Sequence, residues 1–292
     1  MFRLLIKAMR PKQWPKNAFV LAGIFFDGRA LDATRLLRSV AALALFCLLS
    51  SAVYLINDLG DLERDRHHPE KKKRPLASGA LAPAVAWAAT GAFLAIGLPL
   101  AFVLDPAFGL VALIYVLQNL AYTCWLKHIV IVDVMVLSAG FVLRVYAGAV
   151  VAQVTRFSPW LYVCTTLLAL FIVINKRRHE LMLLAEGANN HRASLQEYSV
   201  RFLDEMTSLV TSTTLAAYSF YTFSAPNLPE NHAMMLTIPF VVYGIFRYLY
   251  LIHVRNLGGT PEDILLSDRP LLTTVLLWAC TAGAVIYWPF GG

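Results

Sequence analysis

Charge is what this chain has little of. Of its 292 residues only 15% are Asp, Glu, Lys or Arg, whereas 58% are hydrophobic and the mean hydropathy is +0.61. A soluble domain carries about a quarter charged residues, so much of this surface must face lipid. Cysteine is scarce too. Cys47, Cys124, Cys164 and Cys280 all fall inside apolar runs without metal-ligand spacing, which marks small helix-packing residues and excludes a disulfide framework. No histidine pair has zinc-ligand spacing on a predicted helix, and no catalytic base is assigned. No small-residue cleavage site follows the first apolar run, so no removable signal peptide is expected. Nothing in the chain can be carved out as a soluble domain, and residues 1–292 read as one membrane domain.

What is abundant is apolar runs near 20 residues, enough to cross a bilayer core of about 30 Å. Nine spans are predicted, near 17–34, 38–58, 84–104, 107–125, 130–152, 159–175, 206–225, 234–254 and 270–288. The first is the weakest, because Asp27, Gly28 and Arg29 interrupt it. The formal net charge of +7 would suit nucleic acid, but the cations gather in alternate loops, a pattern that sets membrane orientation. Nineteen Lys and Arg fall with the N-terminus and the even-numbered loops, against four on the opposite side (Arg29, Arg35, Arg38 and Arg156). The rule that cytoplasmic loops carry the positive charge then puts the N-terminus and both long loops, 59–83 and 176–205, in the cytoplasm of a cell-membrane protein.

The chemistry concentrates where the second span ends. Asn57, Asp58, Asp61 and Asp65 are spaced at three and four residues, so a continuing helix lines them on one face at the membrane rim. Clustered carboxylates repel unless something positive sits between them. Mg2+ takes hard oxygen ligands and completes its shell with water or phosphate oxygens, so the face suits a Mg2+-diphosphate. The run continues through His67, His68 and Pro69 to Lys71, Lys73, Arg74, Pro75, Ser78 and Gly79, a dense block of phosphate donors. A weak echo links two spans. The second ends Leu55-Ile56-Asn57-Asp58 and the sixth Val173-Ile174-Asn175-Lys176, which suggests two polar helix ends facing each other over one cavity.

The pattern NDxxDxxxDxxHPxKxxRPxASG after the second span resembles the first signature of the UbiA superfamily of intramembrane transferases. The resemblance implies an all-α polytopic fold of nine transmembrane helices around a central cavity, and cleavage of an activated diphosphate with Mg2+ held by aspartates, here Asp58, Asp61 and Asp65. Ordinary prenyltransferases of that superfamily carry a second aspartate-rich motif after the sixth span. This chain has Asn175-Lys176-Arg177-Arg178-His179-Glu180-Leu181 instead, followed by Arg192 and Tyr198. Together with Arg10-Pro11-Lys12-Gln13-Trp14-Pro15-Lys16-Asn17 and the stretch Asp133 to Arg144, this is similar to the branch of phosphoribosyltransferases that act on decaprenyl phosphate. Pro15 is a departure, at a position where variation is expected. The resemblance implies transfer of 5-phosphoribose from phosphoribosyl diphosphate (PRPP) to a polyprenyl phosphate, in cell-wall precursor synthesis.

Charge logic agrees with that branch. A prenyl diphosphate has one charged end, but PRPP also has a 5-phosphate and the acceptor lipid a phosphate of its own, so extra anions call for Arg and Lys. The substrate-binding set expected is therefore Lys12, Lys16, Asn57, Lys71, Lys73, Arg74, Tyr122, Lys127, Arg144, Lys176, Arg177, Arg178 and Glu180. Lys12 and Lys16 flank Trp14 and fit an interfacial anchor equally well. Arg144 falls inside a span, where an arginine is costly unless it is paired or faces a cavity. Glu262, Asp263 and Asp268 fit a helix cap as readily as a site. Two other readings stay open here: a prenyltransferase moving a prenyl group onto an aromatic or lipid acceptor, and a transporter of anions or lipids. Lipid-facing and subunit-facing surfaces share a composition, so a homo-oligomer also stays open.

Overall fold

In a computed structural model, every residue is described except 68–70, 155–157, 186–194, 196, 227, 256, 258–260 and 289–292, together with the side chains of 183–185 and 261–262. Arg156, His68, Arg192 and the side chain of Glu262 thus lie outside the described residues. The described residues are helical, with no strand. The α-helices are α1 (Phe2–Ala8), α2 (Ala22–Phe26), α3 (Ala33–Gly60), α4 (Leu62–His67), α5 (Pro83–Leu104), α6 (Pro106–Cys124), α7 (Val132–Val151), α8 (Pro159–Ala185), α9 (Val200–Ser224), α10 (Ile238–His253), α11 (Pro261–Ser267) and α12 (Arg269–Tyr287).

Seven of the described helices are long and apolar enough to cross a membrane: α3, α5, α6, α7, α8, α10 with the turn before it, and α12. Two predicted spans differ. Residues 17–34 do not form one helix: a 3-10 segment, Pro11–Leu21, contains Pro15 and passes into the short α2, which stops at Asp27 and Gly28. Proline removes a ladder donor and clashes with the preceding turn, so this stretch stays tightly wound and broken. The span near 206–225 lies within α9, a 25-residue helix that is long enough but carries Arg201, Asp204, Glu205 and a row of Ser and Thr.

Helix boundaries follow local chemistry. Asp32, Asp105, Ser199 and Asp268 cap α3, α6, α9 and α12 by accepting from backbone N–H groups of the first turn. Proline stands in the first turn of α5, α6 and α12. Asp268 also binds Arg247 at 2.8 Å, so its role is structural. The four cysteines are free.

Helix α7 is central, packing on α6, α8, α3, α2 and the 3-10 segment. More than half of its most apolar stretch is buried, against less than a fifth of that of α5. The approach of the 3-10 segment and of α2 is close: a Cβ on Gly148 would lie 1.7 Å from the Val20 carbonyl oxygen, and one on Gly23 of α2 2.6 Å from the Ala149 nitrogen. Only glycine allows that contact, and it presses the irregular segment into the wall of the cavity. Large apolar side chains such as Trp87, Val103, Leu209 and Leu276 are exposed, as lipid contact requires and water disfavours.

Candidate active site

The last turn of α3 delivers Asn57 and Asp58 to one end of the bundle, and the chain breaks at Asp61 before α4 brings Asp65. On an unbroken helix Asp58 and Asp65 would lie within about 20° of each other and Asp61 about 60° away, and the bonds from Asp61 N–H to Asn57 and from Asp65 N–H to Asp61 carry that winding across the turn. The contacts follow that geometry. One guanidinium nitrogen of Arg74, Nη1, lies 3.1 Å from Asp58 and 2.5 Å from Asp65. Arg10 also donates to Asp58. Both carboxylates are buried. Asp61 instead accepts from the buried Lys127 at 2.7 Å.

The expected three-aspartate group therefore divides into a convergent pair and a separate Asp61–Lys127 pair. No three of His, Cys, Asp and Glu gather as a metal-ligand set among the described residues. The pair nevertheless has the donor chemistry for Mg2+: two hard carboxylates already aimed at one cationic atom, which is as many protein carboxylates as a Mg2+ bound to phosphate oxygens commonly uses.

Opposite this pair, Arg177 of α8 is almost fully buried. Its Nε donates to Asp133 at 2.7 Å, its Nη2 to the Tyr122 hydroxyl at 2.8 Å, and its Nη1 to Glu180. Tyr198 donates to the second Asp133 oxygen at 2.8 Å and accepts from the Ile131 N–H at 2.7 Å. Burial, reinforced by the bond to Asp133, raises the Tyr198 hydroxyl above its ordinary pKa and keeps it a donor.

Between the two helix ends a cavity of about 160 Å³ runs inward. Arg10, Lys16, Asn57, Tyr122, Lys176 and Arg177 line it, with Gln13, Gln118, Asn119 and Thr123; deeper residues include Tyr115, Gly140, Phe141 and Arg144. Five of the lining residues are cations, and none is a carboxylate. Asn57 and Lys176 face this one space, as the sequence echo suggested.

Arg144 is 6% exposed and is held by neutral groups. Nε donates to Asn17 at 2.8 Å, Nη1 to the Gly140 carbonyl at 2.7 Å and Nη2 to the Tyr115 hydroxyl at 2.8 Å. Its guanidinium also lies 4.7 Å from the Tyr115 ring centroid. Asn17 is fixed in turn by Ser50, to which it donates at 3.1 Å.

Other expected residues scatter. Lys12 and Lys73 are exposed, Lys71 is half-buried, and none of the three lines the cavity. Arg178 turns away, with Nε donating to Asp204 of α9 at 2.6 Å. Sequence reasoning missed Arg10, Asn17 and Tyr115 as site residues. The available signal for the last two was a polar atom within an apolar run; for Arg10 it was its place in the opening motif.

The model of the UbiA prenyltransferase family matches residues 17–260. The decaprenyl-phosphate phosphoribosyltransferase of Mycobacterium tuberculosis is 34% identical over 286 residues, covering 97% of this chain and 94% of that protein. The Corynebacterium glutamicum enzyme of the same name is 32% identical over 293 residues, covering 98% and 87%. The structure of a UbiA homolog from Archaeoglobus fulgidus bound to GPP and Mg2+ superposes with a TM-score of 0.73 at 20% identity, covering 97% of this chain and 99% of that one. That last likeness concerns the fold. With the polytopic helices, the cation-lined cavity and the match to most of its length, this chain belongs to the UbiA prenyltransferase family and is a multi-pass membrane transferase.

Proposed function

We propose that the protein transfers 5-phosphoribose from PRPP to a polyprenyl phosphate and releases diphosphate. The observation that carries this reading is the cavity wall, with five cations and no carboxylate. A substrate with phosphates at both ends, meeting a phosphorylated acceptor, needs such a wall; one diphosphate head does not. The names of the full-length relatives support it.

A phosphate oxygen of the lipid attacks C1 of PRPP, the C1–O bond to diphosphate breaks, and both electrons of that bond leave with diphosphate. The acceptor is ionised at neutral pH and needs no base. Asp58 and Asp65 would hold Mg2+, which supplies Lewis-acid stabilisation of the departing diphosphate. Arg10 and Arg74, now bound to those carboxylates, stand within reach of the same leaving group. Lys176 lies in the facing wall to neutralise charge there. Arg177, fixed by Asp133, Tyr122 and Glu180, holds that wall in register with the acidic rim. The loop charges support a rim on the cytoplasmic side, and the chain is read as acting as one membrane domain.

The test is purified protein in detergent with Mg2+, polyprenyl phosphate and PRPP labelled in the ribose. Label that partitions into organic solvent, and does so only without EDTA, is the expected result. Absence of such label, together with prenylation of an aromatic acid from a prenyl diphosphate, overturns the substrate assignment and leaves the fold standing.

A further inference from the structure

Arg144 poses a separate question. Its guanidinium is buried inside α7, and its bonding partners are an amide oxygen, a backbone carbonyl and a phenol. Among the described residues no carboxylate pairs with it. Removing a charge from water costs several kcal/mol unless an opposite charge compensates, and near the middle of a membrane span arginine is rare without such a reason. Three elements nevertheless hold this one: α7 itself, Tyr115 of α6, and Asn17 of the 3-10 segment, with Asn17 braced on Ser50 of α3. A cation this well fixed, open to a cavity and left without a countercharge is the outline of an anion receptor.

Its depth selects which anion. Arg144 follows Asp133 by eleven residues, about 16 Å along the helix axis, and Asp133 belongs to the rim network of Arg177. The bond from Nη1 back to Gly140 returns the guanidinium about one turn toward the rim. The charge thus stands roughly 10 Å inward of the rim, near the distance between the two ends of a phosphorylated pentose diphosphate. The lipid phosphate must reach C1, the carbon that carries the rim-held diphosphate, and so does not extend to the depth of Arg144.

We infer that Arg144, oriented by Asn17 and Tyr115, is the floor of the cavity's donor site and binds a sugar 5-phosphate. This rests on the phosphoribosyl reading and names which end of the donor enters first: the 5-phosphate goes inward and the diphosphate remains at the acidic rim. The site then selects donors with a terminal phosphate monoester.

Thermal shift of the full-length protein in detergent tests it, with three probes: ribose 5-phosphate, inorganic diphosphate and a short-chain prenyl phosphate. For Arg144→Gln the dissociation constant for ribose 5-phosphate is expected to rise about 100-fold, since truncating one partner of a buried charge pair is costly, with diphosphate binding changed less than threefold. The same variant should raise KM for PRPP far more than it lowers kcat. Arg144→Lys should recover part of the binding. Tyr115→Phe removes one bond to the guanidinium and should weaken ribose 5-phosphate by about 10-fold; it decides the matter if the glutamine variant fails to fold. Unchanged ribose 5-phosphate binding, an equal loss for diphosphate, or a loss confined to prenyl phosphate overturns the inference. If wild-type protein moves no labelled ribose from PRPP, the phosphoribosyl reading fails instead, a result distinct from transfer that ignores Arg144.

Discussion

The rim and the floor of the cavity handle charge in opposite ways. At the rim the carboxylates described are each matched by a cation: Asp58 and Asp65 with Arg74, Asp61 with Lys127, Asp133 with Arg177. At the floor Arg144 is held by dipoles alone. The rim pairs include half-exposed members, Arg10 and Arg74, which can exchange a carboxylate for a phosphate at low cost because water solvates them meanwhile. Desolvation at the floor leaves no such intermediate, so the receptor is built with its donors already aimed. The lesson is that ion pairs at a site entrance are compatible with exchange, whereas an unpaired buried cation is a commitment to an anionic ligand.

Several substitutions would break or sharpen this contrast. Asp58→Asn should reduce turnover by about 10³-fold or more, comparable to losing a principal electrostatic element of a transition state. Its thermal midpoint should change little, because the guanidinium groups it releases reach solvent. Full activity in the folded variant would remove the metal-pair assignment. Next comes Arg144→Gln, with its loss of about 100-fold confined to ligands bearing the 5-phosphate. Third is Asp133→Asn, which leaves Arg177 short of a partner in a fully buried setting and should cost about 3 kcal/mol of stability. Tyr198→Phe, which deletes one neutral hydroxyl from the same cluster, should cost about 1 kcal/mol. Denaturant or thermal midpoints compare the two, and equal values would mean that the pair is not the structural centre of the wall. The smallest effect is expected for Arg178→Ala. Its partner Asp204 is more than a third exposed and belongs to α9, so KM for PRPP should move less than about threefold and stability by under about 1 kcal/mol. A large rise in KM there would place Arg178 in the cavity after all.

The contrast between Arg177 and Arg178 also measures how far sequence reading reached. The basic motif was visible as a block, and both arginines looked equally suited to phosphate. On a helix, neighbours diverge by 100°, and which of them meets the cavity depends on the position of α9. The acidic motif behaved similarly: its spacing anticipated a shared face, yet the break at Asp61 and the position of Lys127, 66 residues away, separated one carboxylate from the other two. The broken 3-10 segment was the poorest match to expectation, since hydropathy alone reports a crossing where Pro15 and the tight contact at Gly148 impose irregular winding.

Composition and order along the chain were enough to determine the membrane habitat, most of the spans, the acidic rim and the family, because lipid and Mg2+-phosphate chemistry both demand particular residue types at short spacing. Tertiary structure alone decided which cations face the cavity, which carboxylates converge, and that Arg144 meets only neutral partners. Those outcomes depend on contacts across separations such as the 127 residues between Asn17 and Arg144, and no local periodicity records them.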